Sequence, residues 1–272
     1  MKRGWRDAAL LARLLGHAAR ADVLAAQQAE FQHDLAASIT TTMAQHQITH
    51  LPGAAELGDF DPSSSTLIFS PAGAEHLVPP AALQATWQRY WDESQRRFSG
   101  TDWTEYTPYE LRSVSALLRL GQADRAHQLL DFFYHDQRPA GWHQWAEVVY
   151  RQPRLARFIG DMPHAWIASD FIRSALDLLA YSRDSDQALV LAAGVPAPWL
   201  ASGVVGVQGL GTAYGVLGYQ LRIDGQGQPQ LTLAAGNSKP PGGLWLAWGG
   251  TLHRLPNPQP DSPVNWALPA TP

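Results

Sequence analysis

Two glycine corners set the frame of this chain. GHAARA at 16–21 and GQADRA at 121–126 each follow a helical run and share Gly, Ala, Arg and Ala at matching places. Before the first corner, Ala8, Leu11, Ala12 and Leu15 recur at helical spacing; before the second, Leu111, Val114, Leu117 and Leu118 do the same. A glycine closing such a stripe suits the left-handed conformation in which helices commonly end. Each corner therefore predicts an αα-hairpin, one over 5–46 and one over 108–135, the unit from which antiparallel bundles and toroids are assembled.

A further helix is expected over about 81–98, where Leu83, Trp87, Tyr90, Trp91, Ser94 and Phe98 trace one face, and a last one over about 165–182, carrying Ile167, Phe171, Ala175, Leu178 and Leu179. The connections at 47–80, 99–107 and 136–164 are long for a compact domain, and loops of that length are often functional. After about residue 183 short β-rich, glycine-punctuated strings follow, among them QALVLAAGV, YGVLGYQLRI and QPQLTLAAG, with DGQGQPQ as a hairpin turn. The expected organisation is a helical-hairpin domain over 1–183, a small antiparallel β module over 184–254 and a poorly ordered Pro-rich tail over 255–272. The expected fold class is mainly α.

Composition removes several function classes. The net charge is −4 and no long basic run occurs, so nucleic acid is not an expected partner. There is no cysteine, which excludes disulfides, zinc–thiolate sites and a thiol nucleophile. No apolar run approaches the roughly 20 residues that span a bilayer, so no membrane partner is expected. The opening MKRGWRDAALLARLLGHAARA has the charge order of a signal peptide, but Asp7 and Arg13 interrupt its apolar part and favour an amphipathic helix. The expected location is cytoplasmic. His143 and His164 lack metal-ligand spacing, GVVGVQGLG has no helix after it, and no G-x-S-x-G occurs, so no metal or cofactor is expected.

Of eleven tryptophans, Trp87, Trp91, Trp103, Trp142, Trp145 and Trp166 concentrate in the middle of the chain. GWHQWAEVV at 141–149 sets Trp142 and Trp145 beside Glu147. Such a stretch is either local packing or a sugar site, since indole rings stack on pyranose faces and a carboxylate can activate water. Together with ELGDFDPSSST (56–66), YTPYELRSVSALLRLG (106–121) and GDMPHAWIASDFIRSALDLLAY (160–181), it resembles the carboxy-terminal part of bacterial six-hairpin, (α/α)6-toroid glycosidases. Relatives in that superfamily include debranching amyloglucosidases, trehalases and oligosaccharide glucosidases. The resemblance implies a partial (α/α)6 toroid and hydrolysis of an α-glycosidic bond with inversion. A complete toroid needs about twelve helices and five or six are read here. The chain is accordingly expected to be a C-terminal fragment or a shortened member. A homo-oligomer or an upstream half of the ring would then be its partner, with an oligosaccharide or glycoside as substrate.

Inverting glycosidases set an acid and a base roughly 6.5–9.5 Å apart across the scissile bond. The resemblance implies Glu147 as the base, the other reading being a surface Glu beside core tryptophans. The acid either lies upstream of Met1 or is Asp59 or Asp61 of GDFD, for which turn and cap chemistry is the competing reading. Trp142, His143, Trp145, His164 and Trp166 are the expected sugar contacts, together with Asp102, Trp103 and Glu105 of the loop before the second hairpin. Thr107, Pro108 and Glu110 spell a capping box with Pro at the first helical position, a structural role. Asp170 is either solvated or a cavity acceptor. A non-catalytic carbohydrate-binding or assembly protein, and a plain helical scaffold, are the competing functional readings.

Overall fold

The computed structural model describes residues 1–100, 103–137, 140–152, 162–259 and 261–268. It divides into two compact units, Met1–Trp103 and Thr104–Pro272.

In the first unit α1 (Lys2–Leu14) and α2 (Ala18–Gln45) form the expected hairpin. The corner is a Schellman turn: Gly16 adopts φ +78°, its N–H donates to Arg13 O, and His17 N donates to Ala12 O. Small side chains let the two helices approach, with Ala9, Ala12, Ala21 and Leu24 buried between them and Trp5 packed alongside. The long connection that follows holds α3 (Pro62–Ser65) and two 3-10 turns at Thr66–Ile68 and Glu75–Leu77. α4 (Pro80–Phe98) then buries Leu83, Trp87, Tyr90 and Ser94, the face that its periodicity predicts, and Trp87 packs against Phe69. Trp91 and Phe98 lie half-buried at the margin of that face.

The second unit opens with β1 (Glu105–Tyr106) and a 3-10 turn at Pro108–Leu111 that leads into α5 (Arg112–Arg119). α6 (Ala123–His135) completes the second hairpin. Its corner repeats the first bond for bond: Gly121 has φ +73° and donates to Leu118 O, while Gln122 N donates to Leu117 O. The shared letters of the two corners thus specify one backbone motif used twice. β2 (Val149–Tyr150) pairs antiparallel with β1. α7 (Ala165–Leu179) passes into β3 (Ala180–Arg183) with no intervening loop, Ala180 taking extended backbone angles.

The remainder of the unit is β structure: β4 (Ala188–Leu191), the short helix α8 (Ala197–Ala201), β5 (Val205–Thr212), β6 (Gly215–Ile223), β7 (Pro229–Leu233), β8 (Leu244–Trp248), β9 (Thr251–Arg254) and β10 (Val264–Ala267). One four-stranded sheet has the order β3-β4-β8-β9 with β4 and β8 parallel, and the other has the order β10-β7-β6-β5, antiparallel throughout. Alternate residues of both sheets feed one core: Leu217, Tyr219 and Leu221 from β6, Leu231 and Leu233 from β7, Leu189 and Leu191 from β4, Leu244 and Leu246 from β8. In β7 and β8 this period of two is the signature of a strand buried on one face, whereas β4 is buried on both, Ala188 and Val190 included. The predicted turn is present, with the Asp224 carboxylate accepting from Gln226 N and Gln228 N at 2.9 Å each.

A mainly α, partial-toroid fold is therefore not what the chain adopts. The structure is 45% helical and 19% strand, the strands falling in three sheets, an α+β mixture. Two segments account for the difference. The apolar pattern read as helix to 182 stops being helical at Leu179, because Ala180 and Tyr181 are buried as strand residues of β3. The segment expected as a tail contributes an ordered edge strand, Val264–Ala267 pairing with residues 230–233.

α5 and α7 are joined by two ion pairs. Arg112 Nε meets Asp170 Oδ2 at 2.7 Å, and Arg119 Nη1 meets Asp177 Oδ2 at 2.7 Å. The members of the second pair stand one heptad beyond those of the first on both helices. Seven residues is close to two helical turns, so each helix presents both of its members on one face, and the two helices run side by side in the same direction. The Arg119–Asp177 pair is buried, with 7% and 9% of the side chains exposed. Removing one partner of such a pair leaves an uncompensated buried charge. Asp177→Ala should lower the stability of the second unit in urea unfolding by about 3–5 kcal/mol, and the double variant Arg119→Met with Asp177→Leu should recover most of the loss. A single-variant cost below about 1 kcal/mol would mean that the pair behaves as a surface contact.

Candidate functional site

Thr107 is the hub of one end of the second unit. Its hydroxyl donates to Glu147 O at 2.7 Å and accepts from Tyr109 N at 3.4 Å, so it caps the 3-10 turn at Pro108–Leu111 and ties the loop carrying Glu147 to that turn. The β1–β2 pairing, Tyr106 opposite Val149, fixes the same loop two residues further on. A second tie runs from His164 N to Trp145 O at 3.3 Å and brings in the start of α7. Three segments distant in sequence, 107–112, 141–149 and 164–170, thereby converge.

The side chains at this end form a polar–aromatic cluster. Tyr109 Oη lies 2.7 Å from His164 Nε2, with the two rings edge to face at 5.5 Å. Trp166 stands 6.1 Å from His164 and 6.4 Å from Tyr109 between ring centroids, and is 70% exposed. The Arg112 guanidinium covers the Tyr109 ring at 4.5 Å while its Nε holds Asp170. Burial raises the Asp170 carboxyl above its ordinary value, and the attraction of Arg112 only partly offsets it. His164 is buried, so the Tyr109 hydroxyl and the imidazole are locked to each other, whereas the Trp166 indole meets solvent.

Glu147 is half-buried, and among the described residues none donates to its carboxylate. Trp142 is 60% exposed and His143 is exposed, in the same loop. His143 adopts φ +53°, a conformation uncommon for a residue with a Cβ. Trp145 faces the other way: it is 3% exposed, its indole N–H donates to Phe133 O at 2.9 Å, and its ring lies against Phe171 at 4.8 Å. Of the two indoles in GWHQWAEVV, one is core and one is surface.

The structure brings Glu147, Trp145, His164 and Trp166 to one end of the second unit. Glu105 is exposed on β1, opposite Tyr150. Trp103 ends the first unit, half-buried, and Asp102 lies outside the described residues. Asp59 and Asp61 also belong to the first unit, and both have local duties. Asp59 Oδ1 accepts from Ala54 N at 2.9 Å; Asp61 Oδ1 accepts from Ser64 N at 3.0 Å and Ser63 Oγ at 2.7 Å as the N-cap of α3. Glu110 is buried on the turn that Thr107 caps. Sequence reasoning passed over Tyr109 and Arg112 and left Asp170 undecided. The equal spacing of Arg112 and Arg119 against Asp170 and Asp177 was the signal that could have found the Arg–Asp pairs. Among the described residues no cluster of three or more His, Asp or Glu side chains could hold a metal ion, and no helix is long and apolar enough to cross a membrane.

Comparison with known protein families, curated proteins and solved structures finds no match to this chain.

The cap at Asp61 has a pH signature. Burial works to raise its carboxyl, but the hydrogen bonds from Ser64 and Ser63 outweigh that and hold it below the ordinary value of 3.8. A carboxyl depressed in the folded state contributes stability above its unfolded value, and that contribution is lost as pH falls through the folded one. Asp61→Ala should therefore cost about 1 kcal/mol at neutral pH, and its difference from wild type in urea unfolding should shrink as pH drops below 3.8. A difference that stays constant down to the lowest pH would contradict the capping role.

Proposed function

We propose that the end of the second unit built from 107–112, 141–149 and 164–170 is a saccharide site, and that the chain is a glycoside hydrolase-like protein in which Glu147 activates water. The observation that carries this reading is the state of Glu147: its backbone is held by the Thr107 hydroxyl while its carboxylate engages no described donor. A fixed carboxylate with open acceptor positions can take a proton from water or bind sugar hydroxyls. Trp166, exposed beside the Tyr109–His164 pair, offers an apolar ring face to the C–H side of a pyranose, and His164 and Tyr109 add polar groups around it. α-Linkage and inversion are taken from the resemblance of the sequence strings.

In an inverting reaction Glu147 would remove a proton from water as the water oxygen bonds to the anomeric carbon, while a second carboxyl gives its proton to the departing oxygen. The competing reading, saccharide binding without turnover, is favoured by the engagement of Asp59 and Asp61 in loop and cap bonds.

Hydrolysis of aryl α-glycosides separates the two. Turnover by the wild type with a loss of about 100-fold or more in Glu147→Gln is the expected result for the hydrolase. Calorimetric binding of an α-linked disaccharide that disappears in Trp166→Ala, without turnover, would support the binding reading. The absence of both turnover and binding would contradict the site itself.

A further inference from the structure

At its other end α5 borders a cavity of about 960 Å³. The wall is drawn from the α5–α6 corner, the segment 192–204 containing α8, the end of β6 and the β8–β9 turn, all within the second unit. Volumes of this order are typical of sites for small organic ligands. Arg112 and Arg119 are seven residues apart on α5, about 10 Å along the helix axis, so the cavity and the saccharide site occupy opposite ends of one helix.

The lining has an asymmetric charge. Among the described lining residues Arg119 and Arg222 are cationic and none is acidic. Arg119 is already matched. Its Nη1 donates to Asp177 at 2.7 Å and to Ser115 O at 3.1 Å, and its guanidinium lies over the Tyr181 ring at 4.3 Å. Its Nε is nevertheless buried without a hydrogen-bond partner, an orphan donor in a side chain only 7% exposed. Such a donor costs free energy unless an acceptor reaches it. Arg222 is exposed on β6. The nearest acid in sequence, Asp224, turns its acceptors to Gln226 N and Gln228 N of its own turn, and Arg222 acts on it only through space. The cavity thus carries one cation that no described side chain neutralises by contact. The rest of the lining is largely apolar, with Leu200, Val195, Leu252 and the half-buried Trp248 among its residues.

We propose that this cavity binds a small organic carboxylate with an apolar body. The carboxylate meets Arg222, and the body lies against Trp248, Leu200, Val195 and Leu252. A guanidinium presents paired N–H groups that match the two oxygens of a carboxylate, and an apolar wall with a single open cation selects a monoanion over a neutral molecule of the same shape. The inference is independent of the saccharide reading, since it uses none of that site's residues.

Titration calorimetry of the full chain with 2-naphthoate, and with 2-naphthylmethanol as its uncharged counterpart, tests it. The expected result is saturable one-to-one binding of naphthoate, about tenfold tighter than the alcohol. Arg222→Gln should reduce naphthoate to the affinity of the alcohol, and Ala201→Trp, which fills the cavity from α8, should remove both. Both positions are exposed, so the variants should keep the wild-type circular dichroism and melting curve. No saturable binding at millimolar naphthoate, equal affinity for the two probes, or binding indifferent to either substitution would overturn the proposal.

Discussion

The second unit depends on the parallel seating of α5 and α7, held at two heights by Arg112–Asp170 and Arg119–Asp177. The inner pair also offsets an unfavourable placement: Asp177 stands in the last turn of α7, where the helix dipole disfavours a negative charge, and Arg119 stands in the last turn of α5, where a cation is favoured. Because α7 becomes β3 without a loop, whatever fixes α7 also fixes the first strand of a sheet. Tyr219 reinforces the junction, its hydroxyl donating to Leu179 O at 2.6 Å from β6 of the other sheet, in a site where burial pushes the phenol's pKa far up. Helices and sheets in this unit are therefore one cooperative body.

That body has two ends with different chemistry. At the start of α5, Arg112 is half-buried, covers Tyr109 and joins a polar–aromatic cluster whose outermost member, Trp166, faces solvent. At the finish of α5, Arg119 is sunk in the wall of a cavity that the exposed Arg222 also lines. Rigid elements hold both ends, which suits recognition: side chains on a seated helix lose little freedom when a ligand arrives.

Much of the scaffold was legible from the sequence because its signals are local. Gly16 and Gly121 marked two corners that share one hydrogen-bond pattern, Gly225 and the DGQGQPQ run marked a hairpin turn, and the face of α4 followed from a spacing of three and four. The toroid expectation failed where the deciding forces are not local. Ala180 and Tyr181 continue an apolar stripe that reads as helix, and only the presence of β4 as a hydrogen-bonding partner makes them a strand. Val264–Ala267 likewise becomes a strand because β7 offers a free edge to a segment that looks like tail. Of the candidate site, the loop at 141–149 and the start of α7 do come together. Residue type cannot say which side of a loop an indole takes, so Trp145, packed on Phe171, and Trp166, open to water, looked alike. For Asp61 the sequence leaves chemistry and capping both open, and the Ser63 and Ser64 donors decide for the cap.

The central claim is that a saccharide rests where Thr107, Glu147, His164 and Trp166 converge. The indole N–H resonances of a nitrogen-15 labelled chain report this site by site during titration with α-linked disaccharides. The account predicts saturable shifts at Trp166, with Trp142 following, while the buried indoles of Trp87 and Trp145 hold still. Signals that all remain fixed, or that move only at tryptophans elsewhere in the chain, would contradict it.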